Sequence, residues 1–206
     1  MGTRLRLLIA SVNRGKVSEY RDLLDGLDCE LLSLGDAGID GDIAETGSTY
    51  EQNARLKAVE YAARSGLLTL ADDSGLEVEA LGGEPGVRSA RYAGEHADDV
   101  KRVAHVLEKL KGVPAGMRGA CFVCVIAIAT PQGDVTICRG ECPGSIALEP
   151  RGDRGFGYDP VFLLPDLGLT MAQLPPDVKN RLSHRGRAAS AARHVLRRFI
   201  DAAKSR

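Results

Sequence analysis

"LLTLADDSGLEVEALGG", residues 67–83, opens as a buried strand opens and then places two carboxylates side by side. Leu67, Leu68, Leu70 and Ala71 make a short apolar run behind Gly66. A run of that length bounded by turn formers reads as a strand covered on both faces. Asp72 and Asp73 follow, closed by Ser74 and Gly75, so the strand is expected to end at the aspartates. Asp, Ser and Gly are good turn residues, and a plain turn is one reading of them. A site is the other, because an open α/β sheet binds ligands outside the carboxyl ends of its strands.

The surrounding segments decide the class of sheet. Upstream, "RLRLLIAS" (4–11) reads as a strand and "RGKVSEYRDLLDGL" (14–27) as a helix with Val17, Tyr20, Leu23 and Leu24 on one face. "CELLSL" (29–34) is a second strand. "GSTYEQNARLKAVEYAARSG" (47–66) is a helix with a capping box predicted from Thr49 and Gln52, a stop at Gly66, and a buried stripe of Ala54, Ala58, Tyr61 and Ala62. The first part of the chain is therefore β-α-β-α-β. Downstream, residues 98–112 read as a helix through Val103, Val106, Leu107 and Leu110. Residues 118–144 read as two long strands joined around Pro131–Gly133, a hairpin. A final amphipathic helix carries Ala192, Val195, Leu196, Phe199 and Ile200. Parallel units around an antiparallel hairpin predict an α/β fold: a mixed sheet flanked by helices, in one domain spanning 1–206, with two lobes and a cleft between them.

Composition narrows the function. The 206 residues are 44% hydrophobic and 27% charged, ample for a core. Lys plus Arg number 27 against 28 Asp plus Glu, so no global field favours nucleic acid or a membrane surface. No apolar run has the length of a membrane span, and the first residues are too short and strand-like for a signal peptide, which predicts a cytoplasmic protein. The five cysteines lack zinc spacing. Cys121 and Cys124 sit three apart on a strand and face opposite ways, so free, packed thiols are expected.

Four further stretches carry polar chemistry. "SVNRGK" (11–16) joins the first strand to the first helix, where Asn13 can cap and the helix N-terminus can receive an anion. Lys16 in that first turn opposes the helix dipole, which points to a negative charge beside it. Glu45 lies just ahead of the second helix, and Arg55 and Lys57 lie on it, Arg55 on a solvated face. "GFGYDP" (155–160) lacks the third glycine of a dinucleotide fingerprint, but it isolates Phe156 between glycines, which suits stacking on a planar base. "DVKNRLSHRGRA" (177–188) gathers Lys179, Arg181, His184, Arg185 and Arg187 with Ser183 and Gly186, a pattern expected to form a structured recognition loop.

Taken together, "SVNRGK", "ETG", "NARLKA", "ADDSGLEVEALGGEPGVRSARYAG", "EPRGDRGFGYDPVF" and "SHRGRA" resemble, in order, the motifs of the inosine/xanthosine triphosphate pyrophosphatases, which hydrolyse non-standard purine nucleoside triphosphates. The resemblance runs from Ser11 to Ala188. It implies an elongated mixed sheet, a nucleotide in the cleft, a homodimer, and Mg²⁺-dependent hydrolysis of ITP, dITP and XTP to the monophosphate and pyrophosphate. It implies Ser11, Asn13 and Lys16 at the triphosphate, Glu45 and Asp73 at the metal, and Asp73 and Lys57 as catalytic groups. Asp72 and Ser74 flank that acid. Phe156 falls on the base-stacking ring, Gly157, Tyr158 and Asp159 continue the nucleoside loop, and Lys179, His184 and Arg185 surround the base and substrate.

On this reading Mg²⁺ offsets the repulsion of the adjacent aspartates. Arg185, or a backbone N–H near His184, would donate to the 6-oxo group of the base and leave donor facing donor with adenine. Val12, Arg154 and Cys142 depart from the usual pattern without touching the proposed chemistry. Two other functions remain open to the sequence: a Maf-type pyrophosphatase preferring pyrimidine or modified nucleotides, and a nucleotide-binding sensor without turnover.

Overall fold

A computed structural model describes residues 4–205. Among them seven strands form one mixed sheet: β1 (Leu5–Ile9), β2 (Cys29–Ser33), β3 (Leu68–Val78), β4 (Gly119–Ala129), β5 (Val135–Ile146), β6 (Phe162–Leu164) and β7 (Leu169–Thr170). The order across the sheet is β2-β1-β3-β4-β5-β6-β7. β1 runs parallel to both β2 and β3, whereas β5, β6 and β7 pair antiparallel. Five α-helices accompany the strands: α1 (Arg14–Leu23), α2 (Tyr50–Ser65), α3 (Asp99–Lys109), α4 (Pro176–Leu182) and α5 (His184–Lys204). None of the described helices is long and apolar enough to cross a membrane.

The chain divides into two compact units. The first comprises the described residues up to Asp73, Cys124–Gly140, and those from Arg185 onward. Its core follows from register. Leu7 lies beside Leu68 and Ile9 beside Leu70, so alternate residues of both strands share one face. Tyr20 and Leu24, from α1 and its C-terminal end, join that face. So does the α5 row Ala188, Ala192, Leu196 and Ile200, whose four-residue spacing makes one apolar stripe. α2 buries Ala54, Ala58, Tyr61 and Ala62 as expected, together with the polar Asn53 and Lys57. Gly66 closes α2 at φ 67°, the left-handed conformation that glycine adopts without steric cost.

The α2 capping box is only half formed. The Gln52 N–H donates to the Thr49 hydroxyl at 3.2 Å, but the Gln52 side chain reaches back one residue further, accepting from the Ser48 N–H at 2.8 Å.

The second unit comprises Ser74–Val123 and Glu141–His184. Leu76 and Val78 of β3 pack with Val103 and Val106 of α3, and with Phe122, Ile146, Val161 and Phe162. The rings of Phe122 and Phe162 stack at 4.1 Å. Arg118, itself buried, finishes α3 by donating to the carbonyls of Leu110 (2.9 Å) and Val113 (3.0 Å). These bonds tie the turn that follows α3 to the residue that precedes β4. The turn between β4 and β5 is closed by the Thr130 N–H donating to the Asp134 carbonyl at 2.9 Å, as the hairpin reading requires.

Residues 177–188 do not form the loop expected of them. They are helical on both sides of Ser183, because Pro176 starts α4 and the chain restarts at once as α5. β6 and β7 went unpredicted, being too short for any periodicity to register. None of the five cysteines is in a disulfide, and of them Cys121 alone is partly exposed.

The α5 stripe gives a direct stability test. Leu196→Ala should lower unfolding stability by about 2–5 kcal/mol. Arg197→Ala, at the adjacent exposed position, should change it by less than about 0.5 kcal/mol, both read from urea denaturation midpoints.

Candidate active site

Asp72 and Asp73 lie inside β3, not at its end. Ser74 and Gly75 do not turn the chain, because Leu76 and Val78 resume the alternation and are fully buried. What ends here is the pairing with β1, whose last register position is Ile9 with Leu70. The aspartates therefore sit just beyond the carboxyl end of β1, within a strand that continues. Successive side chains of a strand face opposite ways. Asp72 shares the face of Leu68 and Leu70, and Asp73 that of Thr69 and Ala71. The expected repelling pair is thus two carboxylates on opposite faces, bonded to different side chains.

Asp72 is buried among cations. Its Oδ2 lies 3.0 Å from Lys16 Nζ and 3.4 Å from an Arg185 nitrogen, with the Asp72 and Arg185 side chains only 1% and 2% exposed. Arg185 also donates to Glu19 Oε2 at 2.7 Å. Burial alone would raise the Asp72 pKa, but Lys16, Arg185 and Lys57 outweigh it and hold the carboxyl well below the usual range. The Cys124 thiol donates to the same oxygen at 3.7 Å, and burial followed by the Asp72 charge pushes that thiol up to about 12. With its proton directed at Asp72, Cys124 receives the Tyr20 hydroxyl at 3.8 Å. The charge that Lys16 was expected to need is therefore supplied, at least in part, by Asp72. Its helix starts as predicted: Asn13 accepts from the Lys16 N–H at 3.1 Å, and Ser11 Oγ accepts from the Asn13 N–H at 3.2 Å.

Asp73 faces a different set. Asn53, wholly buried, donates to Asp73 Oδ2 at 3.0 Å and accepts from the Gly47 N–H at 2.8 Å. One amide thus ties the acid to the segment that carries Glu45. A Cβ on Gly47 would fall 2.7 Å from Asn53 Oδ1, so only glycine permits this approach. Glu45 accepts from the Lys57 ammonium. Burial opposes the charge on Lys57, but Glu45, Asp72 and Asp73 together raise its pKa. The Asp73 pKa is also raised, by burial first and then by Glu45, with Lys57 pulling the other way. An acid so placed is a better proton acceptor than a solvated carboxylate. No group of three or more His, Cys, Asp or Glu among the described residues could hold a metal alone. Two carboxylates supplemented by phosphate oxygens and water do match magnesium's preferences, so the donor set of Glu45 and Asp73 fits that ion.

The second unit carries the other predicted residues. Phe156 is half-buried between Gly155 and Gly157, whose φ angles of 75° and 63° are both left-handed. Its N–H donates to Asp159 Oδ2 at 2.9 Å, and that oxygen also takes the Lys179 ammonium at 2.5 Å. Lys179 Nζ lies 5.0 Å from the Phe156 ring centre, a cation–π distance. Tyr158 is buried and donates to the Ser89 carbonyl at 2.8 Å. The His184 ring stacks on Phe122 at 4.6 Å, and Ser74 is half-buried on β3.

The predicted residues thus fall into two groups, Ser11, Asn13, Lys16, Glu45, Lys57, Asp72, Asp73 and Arg185 in one unit, the rest in the other. Sequence reasoning missed Glu19, Asn53 and Cys124. Asn53 carried a legible signal, standing four residues before Lys57 on α2 and so on the same side of the helix. Glu19 and Cys124 carried none, since their partners are remote in sequence.

Comparison with known proteins bears on the chain as a whole. The model of the Ham1 family matches residues 7–195. A Geobacillus kaustophilus protein named dITP/XTP pyrophosphatase is 49% identical over 182 residues, covering 88% of this chain and 89% of that protein. A Mycobacterium tuberculosis protein of the same name is 50% identical over 195 residues, covering 93% and 95%. Among solved structures, a HAM1 protein from Coxiella burnetii superposes with a TM-score of 0.85 at 43% identity, covering 94% of this chain and 99% of that one. The Staphylococcus aureus Ham1 protein gives 0.83 at 41% identity, covering 93% and 98%. The family model spans most of the chain, and these relatives are matched over most of their own length: the chain belongs to the Ham1 family.

Proposed function

We propose that the chain is a Mg²⁺-dependent nucleoside triphosphate pyrophosphatase that converts dITP, ITP and XTP to the monophosphate and pyrophosphate. It would act in the cytoplasm, as a homodimer, to clear deaminated purines from the nucleotide pool. The observation that carries the reading is the division of labour on β3. Asp72 is bound to cations on one face, while Asp73 sits on the other with a raised pKa beside Glu45 and Lys57. The names of the relatives, dITP/XTP pyrophosphatase, agree with it.

Magnesium would be held by Glu45 and Asp73, and when bound it supplies Lewis-acid neutralisation of phosphate charge. The chain's own groups do the rest. Asp73 takes a proton from the attacking water as the water oxygen bonds to phosphorus and the anhydride linkage between the α- and β-phosphates breaks. The negative charge then resides on pyrophosphate. Lys57 faces that charge with its proton firmly held, since its pKa is raised. Lys16 has three donors, and Asp72 restrains one of them so that the others can meet phosphate oxygens. Ser11 and Asn13 hold the turn at the start of α1, whose free N–H groups suit an anion.

Phe156 is the stacking surface for the base, with Gly157, Tyr158, Asp159 and Lys179 shaping its loop. The Arg185 guanidinium is bound to Glu19 and Asp72. We therefore assign recognition of the 6-oxo group to backbone N–H donors at the start of α5, near His184, in preference to the Arg185 side chain.

Three outcomes are expected. Pyrophosphate release should be fast from ITP, dITP and XTP, slow from ATP and GTP, abolished by EDTA and restored by added Mg²⁺. Turnover centred on dTTP would instead favour a Maf-type preference, and tight binding without turnover a sensor. Asp73→Asn should lower kcat by about a hundredfold or more while leaving the urea midpoint near that of the parent. Asp72→Asn leaves buried Arg185 and Lys16 short of a counter-charge, so it should cost about 3–5 kcal/mol of stability in the same urea assay. Equal stability of the two variants would contradict the division of roles between the faces.

A further inference from the structure

We propose that Asp99, at the start of α3, is a positioning residue for purine binding, its carboxylate fixing the backbone of Phe156 from a second side so that the ring is aimed at the base. α3 begins with two consecutive aspartates, and a helix needs only one side chain at its N-cap. Asp98 fills that role, accepting from the Lys101 N–H at 2.8 Å. Asp99 does something else. Its Oδ2 accepts from the Gly157 N–H at 2.7 Å, and its Oδ1 accepts from Arg102. Arg102 is anchored in turn, donating to the carbonyls of Ala97 at 2.7 Å and Ala90 at 2.9 Å.

The consequence lies in the geometry of one residue. A peptide unit is planar and rigid, so the direction of Phe156 is set by the two planes flanking its Cα. The N–H of the first plane, that of Phe156 itself, is held by Asp159 at 2.9 Å. The N–H of the second, that of Gly157, is held by Asp99 at 2.7 Å. With both N–H groups held, the range of φ and ψ open to Phe156 is narrowed, and with it the directions its Cα–Cβ bond can take. The two flanking glycines would otherwise give this stretch the greatest backbone freedom available to a chain. Both acceptors are carboxylates, so both hydrogen bonds are charge-assisted. Each acid is also braced by a cation, Asp159 by Lys179 and Asp99 by Arg102.

This inference rests on the reading of Phe156 as the base-stacking ring. The test compares steady-state hydrolysis of ITP by the parent, Asp99→Ala, Asp99→Asn and Phe156→Ala, with inorganic triphosphate as a competitive inhibitor that lacks a base. Asp99→Ala should raise KM for ITP by about tenfold, with kcat and the triphosphate inhibition constant within about twofold of the parent. Asp99→Asn keeps an acceptor oxygen and should recover most of the loss. An aspartate that only complemented the helix dipole would change stability and leave KM alone. Unchanged KM in Asp99→Ala beside a raised KM in Phe156→Ala overturns the role of Asp99, as does a triphosphate constant that rises in step with KM. Unchanged KM in Phe156→Ala instead removes the stacking reading. Should Asp99→Ala fail to fold, Asp99→Ser carries the same comparison, its hydroxyl being too short to reach Gly157.

Discussion

Everything in the first unit is organised around one buried carboxylate. Asp72 lies at the centre of a strand, out of contact with water, where an unpaired charge would be too costly to keep. It is tolerated because Lys16 and Arg185 converge on one of its oxygens. Those two cations come from α1 and α5, helices far apart in sequence that pack on the same face of β1 and β3. Apolar contacts between these elements are non-directional and would allow a helix to shift along its axis. An ion pair at 3.0 Å with a half-buried lysine does not. The charge cluster fixes the register of α1, β3 and α5 in a way the leucines and alanines around it do not.

The same strand separates stability from chemistry by parity. On the Asp72 face, the acid is held ionised and its neighbours Cys124 and Tyr20 are held neutral, which is the pattern of a structural network. On the Asp73 face the acid is made more basic, with a lysine and a second carboxylate beside it. Two residues joined by one peptide bond thus sit in opposite electrostatic environments. The separation lies in the groups each acid bonds, Lys16 and Arg185 for Asp72 and Asn53 for Asp73, while the charges of Lys16 and Lys57 act on both.

The β-α-β-α-β start, the hairpin and the last helix were legible because each is long enough for its apolar period to show. Gly66 and Asn13 were legible because their roles are local. Reading the aspartates as a strand end failed for a definite reason. Ser74 and Gly75 have turn chemistry, but the burial of Leu76 and Val78 keeps the chain extended, and tertiary burial overrides local preference. Residues 177–188 misled in a related way. Their mixture of His, Arg and Gly looked like a loop surface, yet Lys179, His184 and Arg185 are buried in helices whose partners lie elsewhere in the chain. Glu19 and Cys124 could not be found at all, since nothing in the sequence near them announces the residues they meet.

The alternation of β3 also restricts how its gene can change. Leu68 and Leu70 are locked beside Leu7 and Ile9 by the parallel pairing with β1. Loss or gain of one codon between Leu70 and Asp72 would therefore exchange the faces of both aspartates at once. Changes in steps of two would keep each acid on its own face but displace it along the strand from its partners. Point substitution can erode this segment gradually, whereas a change in its length has no mild form.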